Sequence, residues 1–324
     1  ISFGIVVIYV ATSGVRGAAW SDVFQAILML VIAWILGMYF VQKLHGGIGN
    51  MFETINNSNN EFLIIGEEGS AMSKARYSSN IIISMIGFVM WPHLFTKSYT
   101  TTEKRIKTTV AVYPIFALFL LPVLFIGFSG YGIVSSDQIE NSGQILPYLI
   151  TNYLTESGLL YGIVGAGALA AAMSSSDAIT HGASVSFGRD ICKAIYSKIP
   201  ENIELWIMRG AVFGVGAIAY LIAIFGSEGL IQLLLGAYGP IAQLAPAVYA
   251  SLFFRKVSAI SIIIGLILGV CITIYYQYFA DSTLFDLHAG LIGLAVNVTA
   301  VFVFSNVYKQ SGNEIVKAQE FNEI

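Results

Sequence analysis

Long apolar runs separated by short polar segments set the pattern of this chain. A run of about 20 predominantly apolar residues is what an α-helix needs to cross a hydrocarbon layer about 30 Å thick. On that pattern the sequence predicts the end of a helix over Ile1–Ala11, a turn at Thr12–Gly17, and eight complete spans. The spans are about Ala18–Gln42, Ile81–Lys97, Thr109–Gly130, Leu159–Ser186, Leu205–Phe225, Leu230–Phe254, Ala259–Phe279 and Leu284–Val307. A polar segment rich in Asn, Glu and Gly, Lys43–Asn80, reads as a long loop. Two spans should be irregular. Pro92, in Trp91-Pro92-His93, removes a backbone donor and clashes one turn back, so its helix should kink or break there. The span from Leu230 contains Gly236, Gly239-Pro240 and Pro246. Gly210/Gly214 and Gly265/Gly269 have the spacing that lets membrane helices pack closely. The expected class is an all-α polytopic membrane protein with about eight full spans plus one partial span.

Composition agrees. Of 324 residues, 56% are hydrophobic and 11% charged, against about 45–50% and about 25% in soluble domains, and mean hydropathy is +0.76. These proportions leave no room for a soluble catalytic domain, and a net charge of −3 says little about partners. Most Lys and Arg fall on alternate loops; Lys43, Lys74 and Arg76 lie opposite, all in the one long loop Lys43–Asn80, where the rule is weak. Arg16, then Lys97, Lys104, Arg105 and Lys107, then Arg189, Lys193, Lys198 and Arg209, then Arg255 and Lys256, then Lys309 and Lys317 share one side, which the positive-inside rule makes cytoplasmic, together with the C-terminus. The opposing loops Tyr131–Glu156, Gly226–Gly229 and Ala280–Asp286 carry no Lys or Arg. The chain opens on Ile1 within an apolar segment, and we read it as lacking preceding helices. Cys192 and Cys271 are too far apart to indicate a disulfide framework. His45, His93, His181 and His288 are too scattered for zinc, and no nucleotide-binding glycine loop or catalytic triad occurs, so neither an enzyme nor a nucleic-acid binder is expected. The sequons at Asn56 and Asn297 read as chance matches.

The candidate chemistry lies in Gly165–Cys192, GAGALAAAMSSSDAITHGASVSFGRDIC. An apolar helix there places Ser174, Ser175 and Ser176 at mid-depth, followed by Asp177, although a carboxylate at a membrane-helix centre costs about 2.5–3.5 kcal/mol. The serines could simply bond back to the carbonyl one turn earlier and allow tight packing. They could equally offer hard oxygen ligands to a cation. Ser174, Asp177 and His181 share a helix face, so Asp177 reads either as a hydrogen-bonded structural carboxylate or as a proton carrier beside a titrating histidine. Asp22, near the start of the predicted span Ala18–Gln42, could be there for the helix dipole alone.

Three stretches resemble the sodium:solute symporter family. Ser13-Gly14-Val15-Arg16-Gly17-Ala18-Ala19-Trp20-Ser21-Asp22-Val23-Phe24-Gln25 is similar to the family's GGL-x-AV-x-x-TD-x-x-Q signature, with Ser13 for the first Gly and Ser21 for Thr. Pro92-His93-Leu94-Phe95-Thr96-Lys97 resembles its Q-PH-xx-x-R segment, with Trp91 for Gln and Lys97 for Arg. Leu169-Ala170-Ala171-Ala172-Met173-Ser174-Ser175 through Arg189-Asp190 resembles its LAAxMST-x-D…DI block. The resemblance implies a LeuT-like bundle of inverted repeats, with residues 1–254 as the symporter core and 255–324 as two peripheral helices and a short tail. It implies a multi-pass plasma-membrane transporter that uses Na⁺, with no other cofactor, to drive uptake of a small organic solute by alternating access. The Met90-Trp91-Pro92-His93 variant resembles members that move small carboxylates or amino acids more than those that move sugars. The carbonyl of Ala171 with the hydroxyls of Ser174 and Ser175 would contribute Na⁺ ligands, with Asp22 and Asp177 as path or support. Met90, Trp91, His93 and Gln232 would face the solute. Partners are then the solute, Na⁺ and the bilayer, with no nucleic acid and no obligate protein. Two rivals stay open, a proton-coupled carrier using Asp177 and His181, and a transporter-like sensor module, against which the short charged tail counts.

Overall fold

The structure is a computed structural model, and it describes residues 2–58, 60–66, 72–98, 101–135, 137–139, 142–154, 158–225, 230–254, 257–312 and 314–316. Among these residues there is no strand. The helices in chain order are α1 (Ser2–His45), α2 (Ile48–Ser58), α3 (Lys74–Phe88), α4 (Pro92–Ser98), α5 (Glu103–Val112), α6 (Ala117–Ser129) and α7 (Ile145–Tyr153). They continue with α8 (Gly158–Val185), α9 (Lys193–Ile195), α10 (Glu201–Phe225), α11 (Leu230–Ala242), α12 (Ala245–Phe253), α13 (Ala259–Tyr278) and α14 (Ala289–Val307). The chain forms two compact units, Ile1–Ser58 with Pro92–Ser227, and Asn59–Trp91 with Glu228–Ile324.

Seven helical stretches among the described residues are long and apolar enough to cross a membrane: Ala19–His45, Glu103–Ser129, Tyr161–Ile195, Glu201–Phe225, Leu233–Phe253, Ala259–Tyr278 and Ala289–Val307. Each overlaps a predicted span. The predicted span Ile81–Lys97 is the exception, because it is divided into α3 and α4. The backbone stops being helical after Phe88 and resumes at Pro92, with Met90 N–H bonded to Gly87 O at 3.0 Å. Pro92 would clash with the carbonyl four residues earlier, that of Phe88, where α3 ends.

Three boundaries differ from expectation. The predicted turn at Thr12–Gly17 is helical, so α1 runs unbroken for 44 residues. Serine and glycine lower helix propensity by at most about 1 kcal/mol each, but neither removes a hydrogen bond as proline does. At about 1.5 Å per residue, α1 is about 66 Å long, and its apolar crossing stretch is Ala19–His45. The segment Lys43–Asn80 is only partly a loop. It holds α2, whose Met51 and Ile55 are fully buried one turn apart against Phe125 and Phe128, and the first turns of α3, capped by Ser73 Oγ accepting the Arg76 N–H at 3.1 Å. The last span starts at Ala289 rather than Leu284, because Phe285 and Asp286 adopt positive φ of 53° and 55°. His288 then caps α14, its Nδ1 accepting the Gly290 N–H at 2.9 Å. Burial holds this imidazole below the usual histidine range.

In the first unit, Ile32, Leu36 and Phe40 of α1 pack with Ile126, Leu149, Leu154 and Val164. Helix α8 passes into a π-helical stretch, Ser186–Cys192. Glu204 of α10 holds that stretch through Arg189 and Lys193, both at 2.9 Å. In the second unit, α13 and α14 meet along glycines. A Cβ on Gly265 would lie 2.9 Å from Asn297 O, and one on Gly293 would lie 2.5 Å from Gly269 O. A buried amide pair bridges this seam to the break between α11 and α12. Gln243 Nε2 donates to Gly239 O and Gly290 O at 3.1 and 3.0 Å, and Asn297 Nδ2 donates to Gln243 O at 2.9 Å. Asn297 is 1% exposed, so its sequon is inaccessible in the fold. By contrast, a Cβ on Gly210 or Gly214 meets nothing within 4 Å, so that pair packs against nothing among the described residues.

Gly293→Ala is accordingly expected to lower the stability of the detergent-purified protein by about 1–3 kcal/mol. Gly210→Ala should stay within about 0.5 kcal/mol. Thermal unfolding of the two variants side by side checks the contrast.

Candidate functional site

Helices α1 and α8 of the first unit present serines and carboxylates to each other. Ser21 Oγ of α1 donates to Asp177 Oδ2 of α8 at 3.3 Å, and Ser174 Oγ of α8 donates to Asp22 Oδ1 of α1 at 3.3 Å. Each helix therefore supplies one donor and one acceptor. Asp177 is 0% exposed. Removing a carboxylate from water is costly unless polar groups surround it, and a hydroxyl from the facing helix supplies one such group without a permanent charge. Gln25 lies one turn beyond Ser21 and Asp22 on α1. It is buried, and its Oε1 has no hydrogen-bond donor among the described residues.

The polar stripe on α8 extends further than the sequence reading took it. Thr180 and Ser184 are buried, at the third and seventh positions after Asp177, the spacing that keeps residues on one helix face. Ser176 adopts the back-bonded geometry, donating to Ala172 O at 2.6 Å. Ser174 instead reaches across to α1, and Ser175 is exposed with no partner among the described residues. Ala171 is also exposed. Ser21, Gln25, Thr180 and Ser184 are thus the polar positions that the sequence reading left without a role. The spacing from Asp177 could have identified Thr180 and Ser184, whereas Ser21 and Gln25 stand out only through the packing of α1 on α8.

Asp22 does not sit in a first helical turn. It lies in the middle of α1, whose first turn carries no acidic residue. The helix dipole therefore does not account for Asp22, since that effect fades within the terminal turn.

The expected solute-facing residues are divided between the two units. His93, in α4, packs on α8 at Gly182, where a Cβ would lie 3.2 Å from His93 Cα. His181 is the neighbouring residue on α8. Met90 and Trp91 belong to the second unit. Met90 is 5% exposed, and the Trp91 ring meets Tyr238 edge-on at 5.8 Å. The side chain of Gln232 lies outside the described residues. Among the described residues no group of three His, Cys, Asp or Glu side chains is placed to hold a metal.

A fold of this kind, with paired hydroxyls and carboxylates inside membrane helices, defines a class of polytopic carrier. The chain belongs to the sodium:solute symporter family, whose pattern matches residues 1–269, and so to a family of transporters rather than enzymes. It is 30% identical over 315 residues to the uncharacterized symporter YhjB of Bacillus subtilis (strain 168), covering 93% of this chain and 63% of that protein. It is 23% identical over 330 residues to the sodium/sialic acid symporter NanT of Aliivibrio fischeri, covering 95% of this chain and 63% of that protein. The chain thus spans less than two thirds of the length of these relatives. Among solved structures it is similar to a substrate-bound, outward-open Na⁺-coupled sialic acid symporter, with a TM-score of 0.69, 21% identity, and coverage of 95% of this chain and 66% of that one. That likeness shows the LeuT-like helical fold expected from the motifs.

The exchange between α1 and α8 is open to a double-mutant cycle. Ser21→Ala and Asp177→Ala are expected to couple by about 1 kcal/mol in unfolding free energy, somewhat above the average of about 0.6 kcal/mol for hydrogen bonds between membrane helices because one partner is ionisable. Additive effects would show that the hydroxyl does not serve the carboxylate.

Proposed function

We propose that the protein containing this chain is a plasma-membrane symporter that draws a small organic carboxylate or amino acid into the cell with Na⁺, its C-terminus facing the cytoplasm. The observation that carries the reading is the reciprocal pairing of Ser21 with Asp177 and Ser174 with Asp22. Na⁺ takes hard oxygen ligands. The Ala171 carbonyl and the Ser174 and Ser175 hydroxyls supply them from one turn of α8, and Asp22 stands one hydrogen bond from Ser174. The acceptor-only oxygen of Gln25 lies one turn further along α1. In this reading Asp22 and Asp177 hold the serines in place and keep the route electronegative.

In this reading Met90, Trp91, His93 and Gln232 would contact the solute, because broken helices such as the one interrupted at Pro92 hold substrate in transporters of this architecture. The sialic acid named for NanT is itself a carboxylate, which supports the choice of solute class. Residues 1–254 form the transporting core, and 255–324 are peripheral. Coupling needs no covalent chemistry, because an ion that binds one conformation better shifts the equilibrium toward it.

A second reading, coupling to protons through Asp177 and His181, is favoured by the complete burial of Asp177. Uptake of radiolabelled carboxylates by the intact protein in proteoliposomes, under a Na⁺ gradient or a pH gradient imposed separately, distinguishes the two. The Na⁺ gradient alone should drive uptake. Ser174→Ala and Ser175→Ala should each raise the Na⁺ concentration for half-maximal uptake by about 5–30-fold, the equivalent of about 1–2 kcal/mol per lost ligand. Uptake that follows the pH gradient and ignores Na⁺ would transfer the role to Asp177.

A further inference from the structure

The second unit contains a cavity of about 1020 Å³ between α12 and α14, remote in sequence from the serines and carboxylates of α1 and α8. Its size is at the top of the range of about 300–1,000 Å³ typical of small-molecule sites. Tyr249 and Phe253 of α12 and Val298 and Phe302 of α14 line it. The polar lining residues of α14 and the segment after it gather at one end, as Ser305, Asn306, Lys309 and Gln310.

The donors at that end are committed except one. Ser305 Oγ donates to Val301 O at 2.5 Å, Asn306 Nδ2 to Phe302 O at 3.0 Å, and Gln310 Nε2 to Val257 O at 3.1 Å. Lys309 is exposed and has no carboxylate partner among the described residues. A hook follows it. Ser311 and Glu314 form a capping box, the Glu314 N–H bonding Ser311 Oγ at 3.4 Å and Glu314 Oε2 accepting the Ser311 N–H at 2.6 Å. The other carboxylate oxygen of Glu314 accepts the Ala259 N–H at the start of α13, at 2.9 Å. These bonds from Ser311 and Ala259 hold the Glu314 carboxyl below the usual carboxylate range. The hook is thereby fixed against α13, and Ile315 becomes part of the cavity lining.

We propose that this cavity binds an anionic phospholipid, with its acyl chain between α12 and α14 and its phosphate at Lys309. The walls are apolar along their length, the single uncommitted charge is positive, and that charge stands just past the end of a membrane-crossing helix, at headgroup level. A polar solute would leave its own hydrogen-bonding groups unsatisfied against these apolar walls, and a zwitterionic lipid would gain less from Lys309. The Glu314 hook sets the lower edge of the site and holds Ile315 against the chain.

Titration of the delipidated, intact protein with phosphatidylglycerol or phosphatidylcholine, read by native mass spectrometry and by thermal unfolding, tests the assignment. Phosphatidylglycerol should bind more tightly and raise the unfolding temperature more. Lys309→Ala should weaken phosphatidylglycerol binding about fivefold, the worth of one basic residue near a membrane surface, and leave phosphatidylcholine unchanged, while Lys309→Arg should retain the preference. Equal binding of the two lipids would overturn the proposal. So would a preference undiminished in Lys309→Ala, or a cavity that takes up neither lipid because another segment of protein fills it.

Discussion

The first unit depends on one constraint, the placement of a fully buried carboxylate, Asp177, inside a helix that crosses the membrane. Such a group is tolerated only when polar partners reach it. Its partner comes from Ser21, and the favour is returned from Ser174 to Asp22. Two helices far apart in sequence are thereby held in one register. The apolar contacts of Ile32, Leu36 and Phe40 extend the same pairing along α1. Packing sets how close the helices lie, and the polar pairs set which residues face each other.

The second unit solves the same problem without charge. Gln243 and Asn297 are carboxamides at 0% and 1% exposure, and they satisfy carbonyls freed where α11 gives way to α12. Glycines along α13 and α14 let the two helices approach until backbone meets backbone. A neutral amide pair in a tight seam is suited to a fixed anchor. A hydroxyl–carboxylate pair can exchange a hydrogen bond for a cation ligand, which is what a coupling site requires. This difference in chemistry is the physical basis of the proposal that the α1–α8 pair couples the ion.

Much of this was legible in the residues, for identifiable reasons. The break at Trp91-Pro92-His93 follows from a single proline, although Pro122 and Pro240 are carried inside helices. The interruption of the span after Leu230, at Gln243 and Leu244, follows from Pro246, whereas α11 runs through Gly239-Pro240. The serines and Asp177 stood out because polar groups are rare in apolar runs. The turn expected at Thr12–Gly17 failed because glycine and serine only weaken a helix, and the sequence offered no proline to end it. Helix α2 was hidden in a segment judged by its Asn and Glu content, although Met51 and Ile55 are spaced one helical turn apart. The roles of Ser21 and Gln25 could not be read, because they arise only when α1 is laid against α8. Membership of the symporter family was legible for a different reason: three motifs kept their order across the chain.

The most direct test of the central claim is amide hydrogen exchange of the intact protein in lipid nanodiscs, in Na⁺ against K⁺ at equal ionic strength. If Na⁺ binds among Ala171, Ser174 and Ser175 with Asp22 and Asp177 in support, peptides covering residues 19–25 and 171–178 should exchange more slowly in Na⁺, while the α13–α14 seam is unchanged. Identical exchange of those two segments in both salts would contradict the account and place the cation elsewhere.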